Sequence, residues 1–289
     1  MAAAKVVRID RIALTVADLA GTSAFYEQAL GFSRVAVTAP GATAPGVPAV
    51  ATLALGGQTI ELACFDPGGR AYPADRAAND PWFQHFAIAV SDMSAAYARL
   101  EGSGHRSIST GGPQQLPPST GSVVAYKFRD PEGHPLELSF NPAVPAGANA
   151  ATFLGIDHSA IAVADLDRSV AFYTGVLGLI YGVHLVNIGP AQDRLDGLAD
   201  TRVDIVTLQT AEAGPHLELL YYASPRAARS DDLPAPGDVA ATRLIMAVDD
   251  LAGMTERLME AGAAFVTFPG ERTIIRDPDG HLIELFERA

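Results

Sequence analysis

The chain has a single cysteine, Cys64, in 289 residues, which rules out an intramolecular disulfide and a thiolate metal cluster. Set in the run Leu62-Ala63-Cys64-Phe65, it reads as a small core residue, not a nucleophile. Positive charge is scarce: 20 Lys and Arg stand against 33 Asp and Glu, a formal net charge of −13. That balance excludes sequence-independent nucleic-acid binding, which needs clustered cations, and makes anionic membrane surfaces poor partners. No apolar run approaches the ~18 residues of a membrane-spanning helix, and the opening MAAAKVVRID lacks the apolar core of a signal peptide. Neither a Ser-His-Asp order, nor a phosphate loop, nor a dinucleotide fingerprint is visible. Aromatic residues make up only 7%, yet 48% of the chain is hydrophobic, enough for a well-buried globular protein. The expectation is a soluble, cytoplasmic protein from a reducing compartment.

What is present is repetition. IDRIALTVADL at 9–19 returns as IDHSAIAVADL at 156–166, an offset of 147 residues. The same offset carries Phe25–Tyr26 onto Phe172–Tyr173, Gly31 onto Gly178, and RDPEGHPLEL (129–138) onto RDPDGHLIEL (276–285). Self-similarity at one fixed spacing is the signature of a duplicated architecture. It predicts two halves, 1–142 and 153–289, joined by a linker at 143–152 in the Pro-, Ala- and Gly-rich stretch NPAVPAGANAAT. The segments 38–49 and 224–238 read as irregular.

A finer repeat lies inside each half. Short alternating strands open at Arg11, His85, His158 and Arg243. Each leads into a helix announced by an aspartate (Asp18, Asp92, Asp165, Asp250) and stopped by a glycine (Gly31, Gly104, Gly178, Gly262). Closing strands carry Glu61, Glu137, Glu218 and Glu284, the second and fourth after a DPxG turn. Each module therefore reads β-α-β-β-β. The fold class is α+β: four modules forming two cupped, barrel-like mixed sheets with helices packed outside. Strand alternation puts His85, Ala87 and Ala89 on one face and Phe86, Ile88 and Val90 on the other. His158, Ala160 and Ala162 oppose Ile161 and Val163, while Arg11, Ala13 and Thr15 oppose Ile12, Leu14 and Val16. A polar residue followed by small ones is how a sheet lines a cavity. Glutamates on otherwise apolar strands need partners there.

This pattern resembles the vicinal oxygen chelate superfamily, which includes glyoxalase I, methylmalonyl-CoA epimerase, extradiol dioxygenases and the fosfomycin and bleomycin resistance proteins. The resemblance covers nearly the whole chain. It implies a divalent metal held inside each cup by residues from the first and last strands of a module pair. The corresponding positions are Arg11 and Glu61, His85 and Glu137, His158 and Glu218, Arg243 and Glu284. A guanidinium has no lone pair to donate, so Arg11 and Arg243 are not ligands. If neighbouring modules pair, each cup holds one His, one Arg and two Glu. If module two pairs with three and one with four, a single cup holds His85, Glu137, His158 and Glu218, and the other holds two Arg–Glu pairs. The crossed arrangement is favoured, because both His lie in the central modules and both Arg in the outer ones.

The resemblance then implies one divalent ion (Zn, Ni, Co, Mn or Fe) on His85, Glu137, His158 and Glu218, with Glu137 or Glu218 as base. The reading is a glyoxalase- or epimerase-like lyase or isomerase working through an enediolate on a small substrate with vicinal oxygens. The rivals are an extradiol dioxygenase with Fe(II), since two His and one Glu are the facial triad, and a non-catalytic binder of an antibiotic-like molecule. A monomer or homodimer is expected. Of the other residues, His134 and His281 read as turn-associated, His216 as a rim or substrate-side neighbour of Glu218, and His105 and His184 carry no role. Phe25–Tyr26 and Phe172–Tyr173 read as core, Trp82 as a possible rim residue, and Tyr126, Tyr221 and Tyr222 as packing residues with proton donation as the alternative.

Overall fold

The four opening strands form where the alternation places them, at Val6–Thr15, Gln84–Val90, Phe153–Ala162 and Thr242–Val248. The computed structural model describes residues 3–38, 48–144, 151–227, 232–267 and 270–288. Residues 145–150 of the expected linker, and most of the irregular stretch at 38–49, lie outside it, as do residues 228–231 of the stretch at 224–238. The helices that follow are Leu19–Leu30, Met93–Arg99, Leu166–Val170 and Leu251–Glu260. Their aspartates cap them: Asp18 accepts from the Ala20 and Gly21 N–H groups, Asp92 from Ala95, Asp165 from Arg168 and Asp250 from Gly253. Gly31, at φ 73°, ends the first helix in the left-handed conformation that costs glycine little.

Module three departs from the simple pattern twice. Its helix widens after Val170 into a π-helical turn, Ala171–Val176, with the Leu177 N–H bonded to the Phe172 carbonyl. A further helix, Pro190–Asp196, is inserted before its third strand, with Pro190 in the first turn and Gly197 left-handed at the end.

Strands assemble into two open sheets. One is built around the antiparallel pair of opening strands from modules one and four, the other around the pair from modules two and three. On the flanks of each pair, the closing strands Gln58–Cys64, Leu282–Glu287, Pro135–Phe140 and His216–Ser224 run parallel to the opening strand of their own module. The crossed arrangement is the one adopted. Each sheet therefore draws strands from both sequence halves, and each is cupped, with free edges, rather than closed.

Burial follows strand parity. Phe86, Ile88, Val90, Ile161, Val163, Ile12, Leu14 and Val16 join Tyr26, Met93, Tyr173 and Met254 from the helices in one continuous core. Burial of each such side chain contributes roughly 1.5–3 kcal/mol. Phe86 stacks on Tyr26 at 6.3 Å between ring centres, tying module two to module one. With the bulky faces buried against helices, the faces carrying His85, His158, Arg11 and Arg243 are left to line the cups.

Candidate metal and substrate site

A bulge in the Ile-Asp-His motif aims the first site residue. Ile156 pairs with Ile88 and His158 with Ala87, leaving Asp157 as the extra residue. The extra residue reverses strand parity. Ile156 thus stays in the core while His158, two residues on, faces the cup. The Asp157 carboxylate turns back to accept from His158 Nδ1 at 2.8 Å, which directs Nε2 inward.

Register brings the four residues together around two alanines. Ala87 is the pairing partner of both His158 and Glu137, and Ala160 of both His85 and Glu218. Because Ala87 and Ala160 are small, the four longer side chains converge above them. His85 Nε2 lies 3.3 Å from Glu137 Oε2, His158 Nε2 lies 3.7 Å from Glu218 Oε2, and the two imidazole centres are 5.9 Å apart. The ligand atoms of His85, Glu137 and His158 all fall within 4.8 Å of one another, with Glu218 just outside this group.

Charge in the cup is strongly perturbed. Burial would lower the His158 imidazole, but Glu218 and Asp157 outweigh it and lift it to about 9. Burial would raise the Glu218 carboxyl, yet His158 and His216 pull it down to about 2. Burial pushes the His85 imidazole below its usual value, toward the neutral form a metal ligand needs. Both of its ring nitrogens are buried without a hydrogen-bond partner. Binding an ion displaces the imidazole proton, so the unsatisfied buried His85 beside two carboxylates and the His158 imidazole is a donor set that fits a divalent ion.

The other cup has the same register with different chemistry. Ala13 pairs with Arg243 and Glu61, while Ile245 pairs with Arg11 and Glu284. Arg11 contacts Glu61 at 3.3 Å and Asp10 at 2.8 Å. Glu284 is held by Arg272 and lies 3.6 Å from Arg243 Nε. Ile245, fully buried, also fills the position that alanine occupies in the His-bearing cup. Cations and bulk stand where an ion would sit.

The remaining sequence candidates divide clearly. His216 Nε2 touches Glu218 Oε1 at 3.3 Å from behind, supporting that carboxylate. His134 and His281 are buried against backbone carbonyls away from the cup. His105 and Ser107 engage the Tyr126 hydroxyl, and His184 pairs with Asp204. Trp82 packs under Arg76, at 4.0 Å, and does not line the His-bearing cavity; nor does any tyrosine among the described residues. Cys64 is half-buried and packs against the core.

Lys127, on the strand Val124–Arg129, was not singled out by sequence reasoning. Its ammonium is buried, 2.6 Å from Asp196 Oδ1 and 4.0 Å from Glu137 Oε2. Burial would lower it, but Asp196 and Glu137 outweigh that and hold it above its ordinary value. The available signal was a lone lysine between Tyr126 and Phe128 on an apolar strand.

Cupped sheets of paired modules carrying a two-His, two-Glu cluster define a vicinal-oxygen-chelate scaffold. A family profile for the Glyoxalase/Bleomycin resistance protein/Dioxygenase superfamily matches residues 8–138 and again 155–285. The chain belongs to that superfamily. Its fold is similar to that of glyoxalase I from Zea mays (TM-score 0.66, 20% identity, covering 97% of this chain and 92% of that one). It is also similar to a putative dioxygenase from Bacillus subtilis (TM-score 0.61, 14% identity, 98% and 86% covered). A search of curated proteins returns no significant match. Among the described residues, no helix is long and apolar enough to cross a membrane.

Proposed function

We propose that this protein is a metal-dependent lyase or isomerase of the glyoxalase and epimerase kind, acting on a small substrate with two neighbouring oxygens. The observation that carries this reading is the convergence of His85, Glu137, His158 and Glu218 on one cavity, with both His85 nitrogens unsatisfied. A divalent ion (Zn, Ni, Co, Mn or Fe) held by His85, His158 and one or both of Glu137 and Glu218 would supply Lewis acidity to the two substrate oxygens.

The two glutamates have different roles. Glu137 is pinned between His85 and Lys127 and belongs to the compact three-residue group. Glu218 stands outside that group and is the more accessible, 18% against 9% for the side chains. Glu218 is therefore the base that takes a proton from the carbon beside a substrate carbonyl. His216, at 3.3 Å, orients it and can accept the proton onward. A positioned base of this kind contributes roughly 10²–10⁴ in rate. All four residues come from one chain, so a single copy holds a complete site.

A second reading, an Fe(II) extradiol dioxygenase, is favoured by the compact group itself, because two histidines and one carboxylate are the facial triad.

The deciding experiment is elemental analysis of protein purified without chelator or nickel resin, beside His85→Ala/His158→Ala. About one ion per chain, lost in the double variant, is expected. Zinc, nickel or cobalt supports the isomerase or lyase, and iron the dioxygenase. No ion in either protein, even after divalent cations are added, overturns both and leaves a small-molecule binder.

A further inference from the structure

The cavity in front of the four site residues encloses about 240 Å³, less than the ~300–1,000 Å³ typical of drug-sized ligand sites. Much of its wall is apolar, formed by Leu116, Val123, Leu185, Ile205 and Leu220. Lys127 breaks that wall. An ammonium has three donors, and the 2.6 Å bond to Asp196 engages one of them. The side chain lines the cavity with its other donors, 4.0 Å from Glu137 Oε2, and among the described lining residues it is the only lysine or arginine.

This ammonium is held in place from behind. Asp196 Oδ2 accepts from Gln192 Nε2 at 2.7 Å, and Gln192 Oε1 accepts from Asn187 Nδ2 at 3.0 Å. Every member of this chain is buried. Its far end, Asn187, also lines the cavity, is 6% exposed, and leaves its Oδ1 without a partner. A buried Lys–Asp pair stabilises a fold little better than apolar residues of the same volume would. What it provides here is a fixed positive charge and an unsatisfied acceptor at the wall of a small cavity. In a chain with a net charge of −13, an anionic ligand needs such a local charge.

We propose that the substrate is a small oxygenated acid whose carboxylate, or comparable anionic group, docks on the Lys127 ammonium beside the two chelating oxygens. A hydroxyl or N–H of the same molecule donates to Asn187 Oδ1. Lys127 is thus a specificity residue, and Asp196 and Gln192 are positioning residues for it. The chelating part of this assignment rests on the metal reading of the His85 cluster; the anion site does not.

Glycolate and tartronate test it, since both offer a hydroxyl and a carboxylate for chelation and tartronate adds one carboxylate. In calorimetric titration of the ion-loaded protein, tartronate is expected to bind at least tenfold more tightly than glycolate. Lys127→Met is expected to erase that preference when proteins are compared at equal ion loading, and Lys127→Arg to restore most of it. Equal affinities in the wild type, which requires no variant to fold, overturn the proposal. So does a preference that survives in Lys127→Met. If the wild type takes up no ion, only the metal reading fails. The anion site is then read from the thermal shift caused by malonate, expected in the wild type and lost in Lys127→Met, and no shift in the wild type overturns it.

Discussion

His134 donates from Nδ1 to Asp130 Oδ2 at 2.8 Å, while its Nε2 lies 2.9 Å from the carbonyl oxygens of both Thr15 and Val239. All three partners are acceptors, so both ring nitrogens carry hydrogen and the buried ring is an imidazolium. Burial opposes that charge, but Asp130 outweighs it and raises His134 above its ordinary value. Burial likewise opposes the Asp130 carboxylate, and His134 with the turn N–H groups holds it below its usual value. The pair joins the DPxG turn of module two to the opening strand of module one.

This ion pair predicts a pH signature. A histidine raised in the fold stabilises fully below its unfolded value of 6.5 and loses that contribution as pH rises through its folded value. A depressed aspartate contributes above its unfolded value of 3.8 and loses it as pH falls through its folded value. His134→Leu, which removes the cation paired with Asp130 and leaves it the turn N–H groups and the Tyr26 hydroxyl, is expected to cost about 3–5 kcal/mol between those limits. The gap from wild type in urea unfolding should narrow at alkaline pH. A gap that widens there contradicts the imidazolium.

The two glutamates of the cup should separate in a paired substitution. Glu218→Gln is expected to keep the bound ion and to lose roughly 10²–10⁴ in turnover. Glu137→Gln is expected to lose the ion first. Ion content and rate measured side by side decide this, and the reverse pattern would exchange the roles.

The outer cup should take no part in ion binding. Glu61→Gln and Glu284→Gln are expected to leave the ion count per chain unchanged, because Arg11, Arg243, Arg272 and Ile245 occupy that space. A fall in ion content would show that the outer glutamates do hold metal.

Phe86→Ala tests the junction between modules. Phe86 is 1% exposed and stacks on Tyr26, so its removal is expected to cost about 3–5 kcal/mol. Chemical denaturation reads this directly. A cost under about 1 kcal/mol would mean that the modules are not coupled there.

Much of the fold was legible because it rests on local signals that repeat. The alternation at His85–Val90 and His158–Val163 assigned core and cup faces, and the capping aspartates and DPxG turns marked where elements start and turn. The π-helical turn at Ala171–Val176 and the helix Pro190–Asp196 were not foreseen. The first interrupts an ordinary helical pattern, and the second is a short insertion with no α-helical counterpart among the described residues of the other modules. Of the cavity, His85, Glu137, His158 and Glu218 were identified from their strand positions. Lys127 was not, because its role depends on Asp196, 69 residues further along the chain.

By itself the sequence determined four modules, their inward faces and the His or Arg that each module contributes, since parity, caps and residue type are local properties. Tertiary structure decided which modules share a sheet. Pairing modules two and three requires edge-to-edge hydrogen bonding between strands about seventy residues apart, and the modules' own alternation would permit neighbour pairing equally well. Once that register is set, Ala87 and Ala160 each sit between a histidine and a glutamate. Four scattered residues then become one cluster.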